Sequence, residues 1–404
     1  MDQNSQKKGS VLGGILLVSG CCIGAGMLGL PVLSAMTGFV PSVTMLLLIW
    51  IFMTCTGLLL LEVNLWFPGE VNIISMTRRT LGFPGQAIAW VTFLFLFYSL
   101  MVAYTAANGA LVADFVQDFA KVSIPEWLGS ALFALLLGVV LYAGTSSTDR
   151  FNRILMLGLV ISYAALMAVG IKHVHFQYLA HQDWSMALLV LPAMIVSFGF
   201  HNLVPSLVNY LNHDVKRLRL TIIIGSSIPL LVYLLWEFLI LGLIPVHGMG
   251  GFKEAFDKGQ MATRVLRAAS GVDWVSDIAQ FFAFFAIVTS FVGVALSFID
   301  FLADGLKVKK TASGIALLCT LVILPPFLFA LVYPQVFLAA LSYAGGLGTV
   351  TLFGILPAAM AWVGRYRQHR SSLAQVPGGK GLLIMVILFS LFIICIQLSQ
   401  EFLS

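Results

Sequence analysis

The residues of this 404-residue chain with the most chemical promise are glycines and a few polar groups set inside apolar runs. The stretch "GCCIGAGMLGLP" (20–31) puts four glycines and a proline into a segment otherwise hydrophobic enough to cross a membrane. "VSFGFHNLVPSLVNY" (196–210) interrupts a second apolar segment in the same manner as "VSGCCIGAGMLGLP" (18–31). Each opens with Val-Ser, carries glycine near its middle and reaches a proline some residues later. A helix broken at membrane depth frees backbone N–H and C=O groups that lipid cannot satisfy, so they must face a protein cavity or a ligand. The restart near Gly26–Met27 presents N–H groups and the positive end of a helix dipole, which suits a carboxylate. The carbonyls that end the first half-helix suit an ammonium group or a cation. One break therefore matches a zwitterionic amino acid without a buried Arg or Asp, and neither break contains an ionised side chain. The bland alternative is close helix packing through the Gly20/Gly24 pair. A second break at a matching position weighs against it.

The elements that must position these groups follow from composition. Sixty per cent of the residues are hydrophobic and 10% are charged, with a mean hydropathy of +0.99. A chain so apolar reads as an all-α polytopic membrane protein. Eleven apolar stretches are long enough to span, at about 10–36, 39–65, 85–118, 127–145, 152–171, 185–211, 217–244, 275–306, 311–332, 335–363 and 381–402. Lipid admits no open sheet, so they are expected to be helices. The first is too long for a signal-peptide core, and no small-residue cleavage site follows it. With the N-terminus inside and the spans alternating, sixteen of the 22 Lys and Arg fall on inner segments and the other six on outer ones, the bias expected of cytoplasmic loops. The C-terminus then lies outside, and the net charge of +5 carries no pointer to nucleic acid.

The broken spans are the first and the sixth, which implies two sets of five plus a final eleventh helix. An odd repeat length inverts the second copy across the membrane, and matched interruptions in two halves point to a transporter's binding site. The organisation expected is a cytoplasmic tail (1–9), a core (10–363) of two inverted repeats at about 10–171 and 185–363, and a basic linker with the eleventh helix (364–404). Short helices are expected within 66–84 and around Met261–Ala269. The five cysteines, in no metal or redox spacing, read as small buried hydrophobes. No HExxH, nucleophile elbow, P-loop or cofactor fingerprint occurs, so the chain does not read as an enzyme and implies no cofactor or metal.

A family resemblance rests on "GCCIGAGMLGLP", "LLLLEV" (58–63), "FGFHNLVPS" (198–206), "VKRLRL" (215–220), "IGSSIPLLVY" (224–233), "SFVGVALSFIDFLAD" (290–304) and "LSYAGG" (341–346). In this order they resemble the tyrosine/tryptophan-specific permeases of the hydroxy and aromatic amino acid permease family, from about residue 10 to the C-terminus. The resemblance implies a LeuT-like fold of 5+5 inverted repeats with broken helices 1 and 6, plus an eleventh helix. It implies import of tyrosine and/or tryptophan across the bacterial cytoplasmic (inner) membrane by ion symport, usually with protons. Carried over by position, Ile23, Gly24, Ala25, Gly26 and Met27 hold the amino acid backbone. Ser197, Phe198, Gly199, Phe200 and His201 complete the site, and spans three and eight form its walls. The expected partners are the aromatic amino acid, a co-transported H+ or Na+ and the bilayer, with no nucleic acid and no obligate protein partner.

An aromatic substrate needs flat apolar walls and a polar group for its hydroxyl or indole N–H. Phe198 and Phe200 flank Gly199. Span three offers Tyr98, Tyr104 and Asn108, and span eight offers Ser290, Phe291 and Ser297; Tyr104 and Phe291 are the wall residues chosen. Intramembrane acids are functional candidates by default. Glu237, within "LLWEFLI", has no cation near it in sequence and is a candidate for ion coupling, together with Ser297 and Asp300. Glu62 reads instead as the partner of an inner-loop cation, and Asp304 as a gate or structural pair with Asp300. One departure from the wider superfamily is the fifth span, where proton-coupled permeases carry a lysine and this chain has none between Arg153 and Lys172. Sodium coupling through carbonyls near Cys22–Ala25 and hydroxyls such as Ser297 is therefore the alternative, as is a permease for another neutral amino acid such as serine or threonine.

Overall fold

The computed structural model describes residues 9–69, 71–142, 145–248, 250–269, 273–309 and 311–403. The described chain is helical throughout, with one isolated backbone bridge between Gly38 and Gln182. Its α-helices of six residues or more, in order, are α1 (Val11–Cys22), α2 (Gly26–Thr37), α3 (Phe39–Asn64), α4 (Ile73–Ala120), α5 (Glu126–Tyr142), α6 (Thr145–Gly170), α7 (Leu191–Ser197), α8 (Val204–Tyr210), α9 (Val215–Leu243), α10 (Phe252–Asp257), α11 (Ala262–Ala269), α12 (Asp273–Gly305), α13 (Ala312–Val332), α14 (Phe337–Tyr343), α15 (Leu356–Tyr366) and α16 (Gly379–Leu403). Among the described residues nine helical segments are long and apolar enough to cross a membrane, or ten when α1 and α2 count as one bent span. The remaining expected span, 127–145, is α5, an apolar helix of 17 residues.

Helix ends follow from local chemistry. Ser10 caps α1, its hydroxyl accepting from the Gly13 amide, and Asn72 and Ser75 form a reciprocal capping box on α4. The piece of α4 up to Leu81 is set off by a kink at Gly82, whose φ of 75° belongs to the left-handed region, with Pro84 following. The short helix expected within 66–84 is this piece, and the one expected around Met261–Ala269 is α11. Span six departs from expectation. Its α-helix begins only at Leu191, after a single 3₁₀ turn at Trp184–Met186, and α7 and α8 are seven residues each. Between α14 and α15 the chain widens into a π-helix, Ala344–Ile355, at "AGGLGTVTLFGI", which packs on α7.

Packing places the breaks centrally. α1 lies along α9, where Ser19 donates to Gly225 O at 2.9 Å. α4 and α12 face each other through stacked, tilted and edge-on rings of Phe93, Phe97, Tyr98, Phe298 and Phe301. The segment of α10 and α11 is fastened to the α4–α5 hairpin by Arg264, which pairs with Glu126 at 2.8 Å and Asp114 at 3.3 Å. At the other end, Glu62 is buried and paired with Arg365, in keeping with the cationic partner expected for it. The cysteines are a partial correction. Cys22 and Cys319 are buried and Cys55 is half-buried, but Cys21 and Cys395 are exposed on their helices.

Candidate functional site

α1 ends at Cys22, Ile23 is extended (φ −75°, ψ 107°), and α2 restarts at Gly26 bent by 56°. The interruption leaves backbone groups without helical partners, as it must. Among the described residues the amides of Gly24 and Gly26 make no hydrogen bond, while the Ala25 amide donates to Ser290 Oγ of α12 at 2.8 Å. Met27 and Leu28 already bond back to Gly24 and Ala25 carbonyls, so the unbonded amides sit at the mouth of α2. Two glycines sit at close approaches. A Cβ on Gly24 would overlap Ser290 Oγ, and one on Gly26 would lie 2.8 Å from Ser197 Oγ.

That second contact brings the two breaks together. α7 ends at Ser197, and Phe198, Gly199 and Phe200 form a non-α stretch before the 3₁₀ turn His201–Leu203 and α8. Tyr233 of α9 donates its hydroxyl to Cys22 O at 2.6 Å and to Ser197 O at 2.8 Å, the terminal carbonyls of α1 and α7. Cys21 Sγ reaches Gly199 O at 3.5 Å. One turn along α9, Trp236 Nε1 donates to Met27 O at 2.8 Å, and Ser34 donates to Glu237 Oε1 at 3.0 Å. The second carboxylate oxygen of Glu237 is buried with no partner among the described residues. Tyr233, Trp236 and Glu237 thus all address α1 or α2 from one face of α9, as i, i+3, i+4 spacing allows.

The expected site residues divide into groups. Gly24 to Met27, Ser197 and Gly199 meet at the junction, with Ile23 half-buried in the same stretch and Phe198 edge-on to Tyr233 at 5.2 Å. Tyr104 is buried on α4 and accepts from Asn108 through its carbonyl. Phe200 and His201 have their contacts elsewhere. The His201 ring is stacked between Phe200 and Phe353, each at 4.7 Å, and its Nε2 is 2.9 Å from Thr56 Oγ1 of α3. Phe291 packs edge-on against Phe133 of α5 at 4.9 Å, and it is the preceding residue, Ser290, that touches the first break. Ser297 and Asp300 lie apart from the junction, on the wall of a cavity of about 860 Å³. That cavity is shared with Asn202, Ser206 and Asn209 of the α8 region and with Trp90 and Phe97 of α4. Tyr233 and Trp236 were not singled out from the sequence. The signal available was three hydrogen-bonding side chains at 233, 236 and 237 on one face of the otherwise apolar second half of α9, from Ile228 on.

The class these features define is a polytopic helical membrane protein organised around two helix breaks in contact. The model of the tryptophan/tyrosine permease family matches residues 7–397. The chain is 33% identical over 411 residues to the tryptophan-specific transport protein of Haemophilus influenzae, across 98% of this chain and 97% of that protein. It is 30% identical over 394 residues to the tyrosine-specific transport system 1 of the same organism, across 96% of each. With the low affinity tryptophan permease of Escherichia coli K12 it shares 29% over 416 residues, across 100% of this chain and 98% of that protein. The chain belongs to the tryptophan/tyrosine permease family, whose members are membrane transport proteins and not enzymes.

Proposed function

We propose that this protein imports aromatic amino acids, tyrosine and/or tryptophan, across the bacterial cytoplasmic membrane by ion symport with alternating access, the ion being a proton. The observation that carries this reading is the contact between two helix breaks, with the Gly24 and Gly26 amides unbonded at the mouth of α2. The substrate carboxylate takes those amides, favoured by the helix dipole, and the ammonium group faces the carbonyl side of the same junction. Phe198 and Tyr104 supply flat walls. Phe200 and His201 hold the second break against α3 from behind. The names of the relatives support the substrate class.

The orientation proposed has the N-terminus inside and the C-terminus outside, with repeats at about 10–171 and 185–363 in a LeuT-like 5+5 arrangement, followed by the linker and eleventh helix. The cavity between α8, α4 and α12 is then the cytoplasmic exit, and the Arg264 ion pairs close the outer side. In proteoliposomes, radiolabelled tyrosine or tryptophan should accumulate under an imposed ion gradient. Unlabelled aromatic amino acids should compete, serine and threonine should not, and uptake should persist without sodium. No gradient-dependent uptake of any aromatic amino acid would sink the proposal, and competition by serine or threonine alone would replace it with the neutral amino acid reading.

Glu237 is the coupling group proposed, with Ser297 and Asp300 as further candidates on the exit wall. A buried carboxylate with one oxygen lacking a partner among the described residues is costly while ionised, and a proton is the simplest ligand for that oxygen. Wild-type uptake is expected to rise as external pH falls. Glu237→Gln, which keeps the shape and removes the titration, is expected to flatten that pH profile. A variant profile superimposable on the wild type would return Glu237 to a structural role.

A further inference from the structure

Tyr233 lies outside every group of residues used so far to bind substrate or ion, and its hydroxyl has an unusual pair of partners. Cys22 is the last residue of α1 and Ser197 the last of α7. Neither carbonyl receives the amide four residues on, at Gly26 or His201, so both are orphan acceptors at the negative ends of half-helices. A single phenolic proton serves the two, at 2.6 and 2.8 Å, from a fully buried side chain. Two like-charged helix ends that would otherwise repel are thereby held to one point. On the far side of the first break the Ala25 amide is fixed by Ser290 Oγ at 2.8 Å. The three residues Ile23, Gly24 and Ala25 are thus clamped between two side chains from different helices, α9 and α12.

Resting on the reading of the junction as the substrate site, we infer that Tyr233 is a positioning residue for substrate. Its hydroxyl sets the separation of the two breaks and so the direction in which the Gly24 and Gly26 amides point. It acts on the part of the substrate common to all amino acids, through the backbone and without touching the side chain. Losing the hydroxyl leaves two buried carbonyls without a donor, which costs more than an ordinary exposed hydrogen bond. That cost falls on the junction alone, because the ring, edge-on to Phe198, is retained in phenylalanine.

The test is Tyr233→Phe beside Tyr163→Phe. Tyr163 of α6 donates to Val232 O at 3.0 Å, a hydroxyl-to-carbonyl bond to the residue beside Tyr233 that serves neither break's terminal carbonyl, although its ring lies 6.3 Å from that of Trp236. Uptake kinetics in proteoliposomes should show KM raised about tenfold in Tyr233→Phe, with Vmax within about twofold of wild type. The rise should be equal for tyrosine, tryptophan and phenylalanine, and Tyr163→Phe should keep the wild-type KM. An unchanged KM in Tyr233→Phe, an equal change in both variants, or a rise confined to one substrate overturns the inference. Should Tyr233→Phe fail to fold, Ser290→Ala releases the same clamp from its other side and must show the same KM effect; a normal KM there overturns the inference as well. Absence of aromatic uptake by the wild type would instead defeat the substrate reading on which it rests.

Discussion

A Gly26→Val variant is expected to raise KM by about 100-fold or abolish uptake, while the protein still reaches the membrane in normal amount. Two charge-assisted hydrogen bonds to a carboxylate, each worth roughly 1.5–3 kcal/mol, set that magnitude. The geometry is specific. A Cβ at residue 26 would lie 2.8 Å from Ser197 Oγ and 3.5 Å from Ser197 Cα. A lone methyl can be met by rotation of the Ser197 hydroxyl, so Gly26→Ala should be the milder variant. Valine adds two further methyls that meet the backbone of the second break or cover the amides themselves. Gly20→Ala is the contrast, since its Cβ would make only an ordinary 3.5 Å contact with the Met156 methyl. Uptake kinetics across the three variants, normalised to membrane protein, should rank Gly20→Ala near wild type, Gly26→Ala between and Gly26→Val last. Wild-type KM in Gly26→Val would mean that the first break is helix packing and nothing more.

The same series shows what sequence could carry. The apolar runs were sufficient to locate the membrane helices, because hydrocarbon demands length and closed backbone hydrogen bonding and little else. The glycines and prolines marked both interruptions for the same reason. Gly20 and Gly24 looked alike as a packing pair, yet Gly20 rests loosely on α6 while Gly24 lies against Ser290. Helical phase is what the sequence withheld. Between Phe281 and Ile299 of α12 the polar residues are Thr289, Ser290 and Ser297 alone, so no hydrophobic stripe distinguishes one face from another, and Phe291 was preferred to Ser290 although they point about 100° apart. Long-range partners were hidden similarly: the bond from Tyr233 to Cys22 spans 211 residues of sequence. The π-helix at 344–355 has no simple sequence rule, since a wider turn changes the ladder without changing composition. The late start of α7 was missed because 185–190 is as apolar as the helix that follows it.

Removing one partner of the Glu62–Arg365 pair is expected to produce the largest loss of stability in the protein. Their side chains are 1% and 3% exposed, and Arg365 Nε meets Glu62 Oε1 at 2.7 Å while Nη2 meets Oε2. The pair is tied into the 364–380 linker: the Val376 amide donates to Glu62 Oε2 at 2.8 Å and Val376 O accepts from Arg365 at 3.0 Å. Two charges taken out of water are tolerable only together, and breaking such a pair costs about 3–5 kcal/mol because the survivor stays buried and uncompensated. Arg365→Met should show that cost in equilibrium unfolding titrated with SDS in mixed micelles. Glu62→Leu with Arg365→Met should recover much of it, since an apolar pair of similar volume needs no compensation. It should not recover all of it, because the Val376 amide then loses its acceptor, at about 1–3 kcal/mol. The pair joins the ends of α3 and α15, far from the breaks in sequence, so the KM of the folded fraction should stay near wild type in both variants. Arg365→Met within about 1 kcal/mol of wild type would contradict the burial penalty from which the prediction comes, and a double variant less stable than Arg365→Met would show that the pair does more than neutralise itself. The expected order, wild type above the double variant and the double variant above the single, is the mark of charges kept for each other and for the linker they fasten.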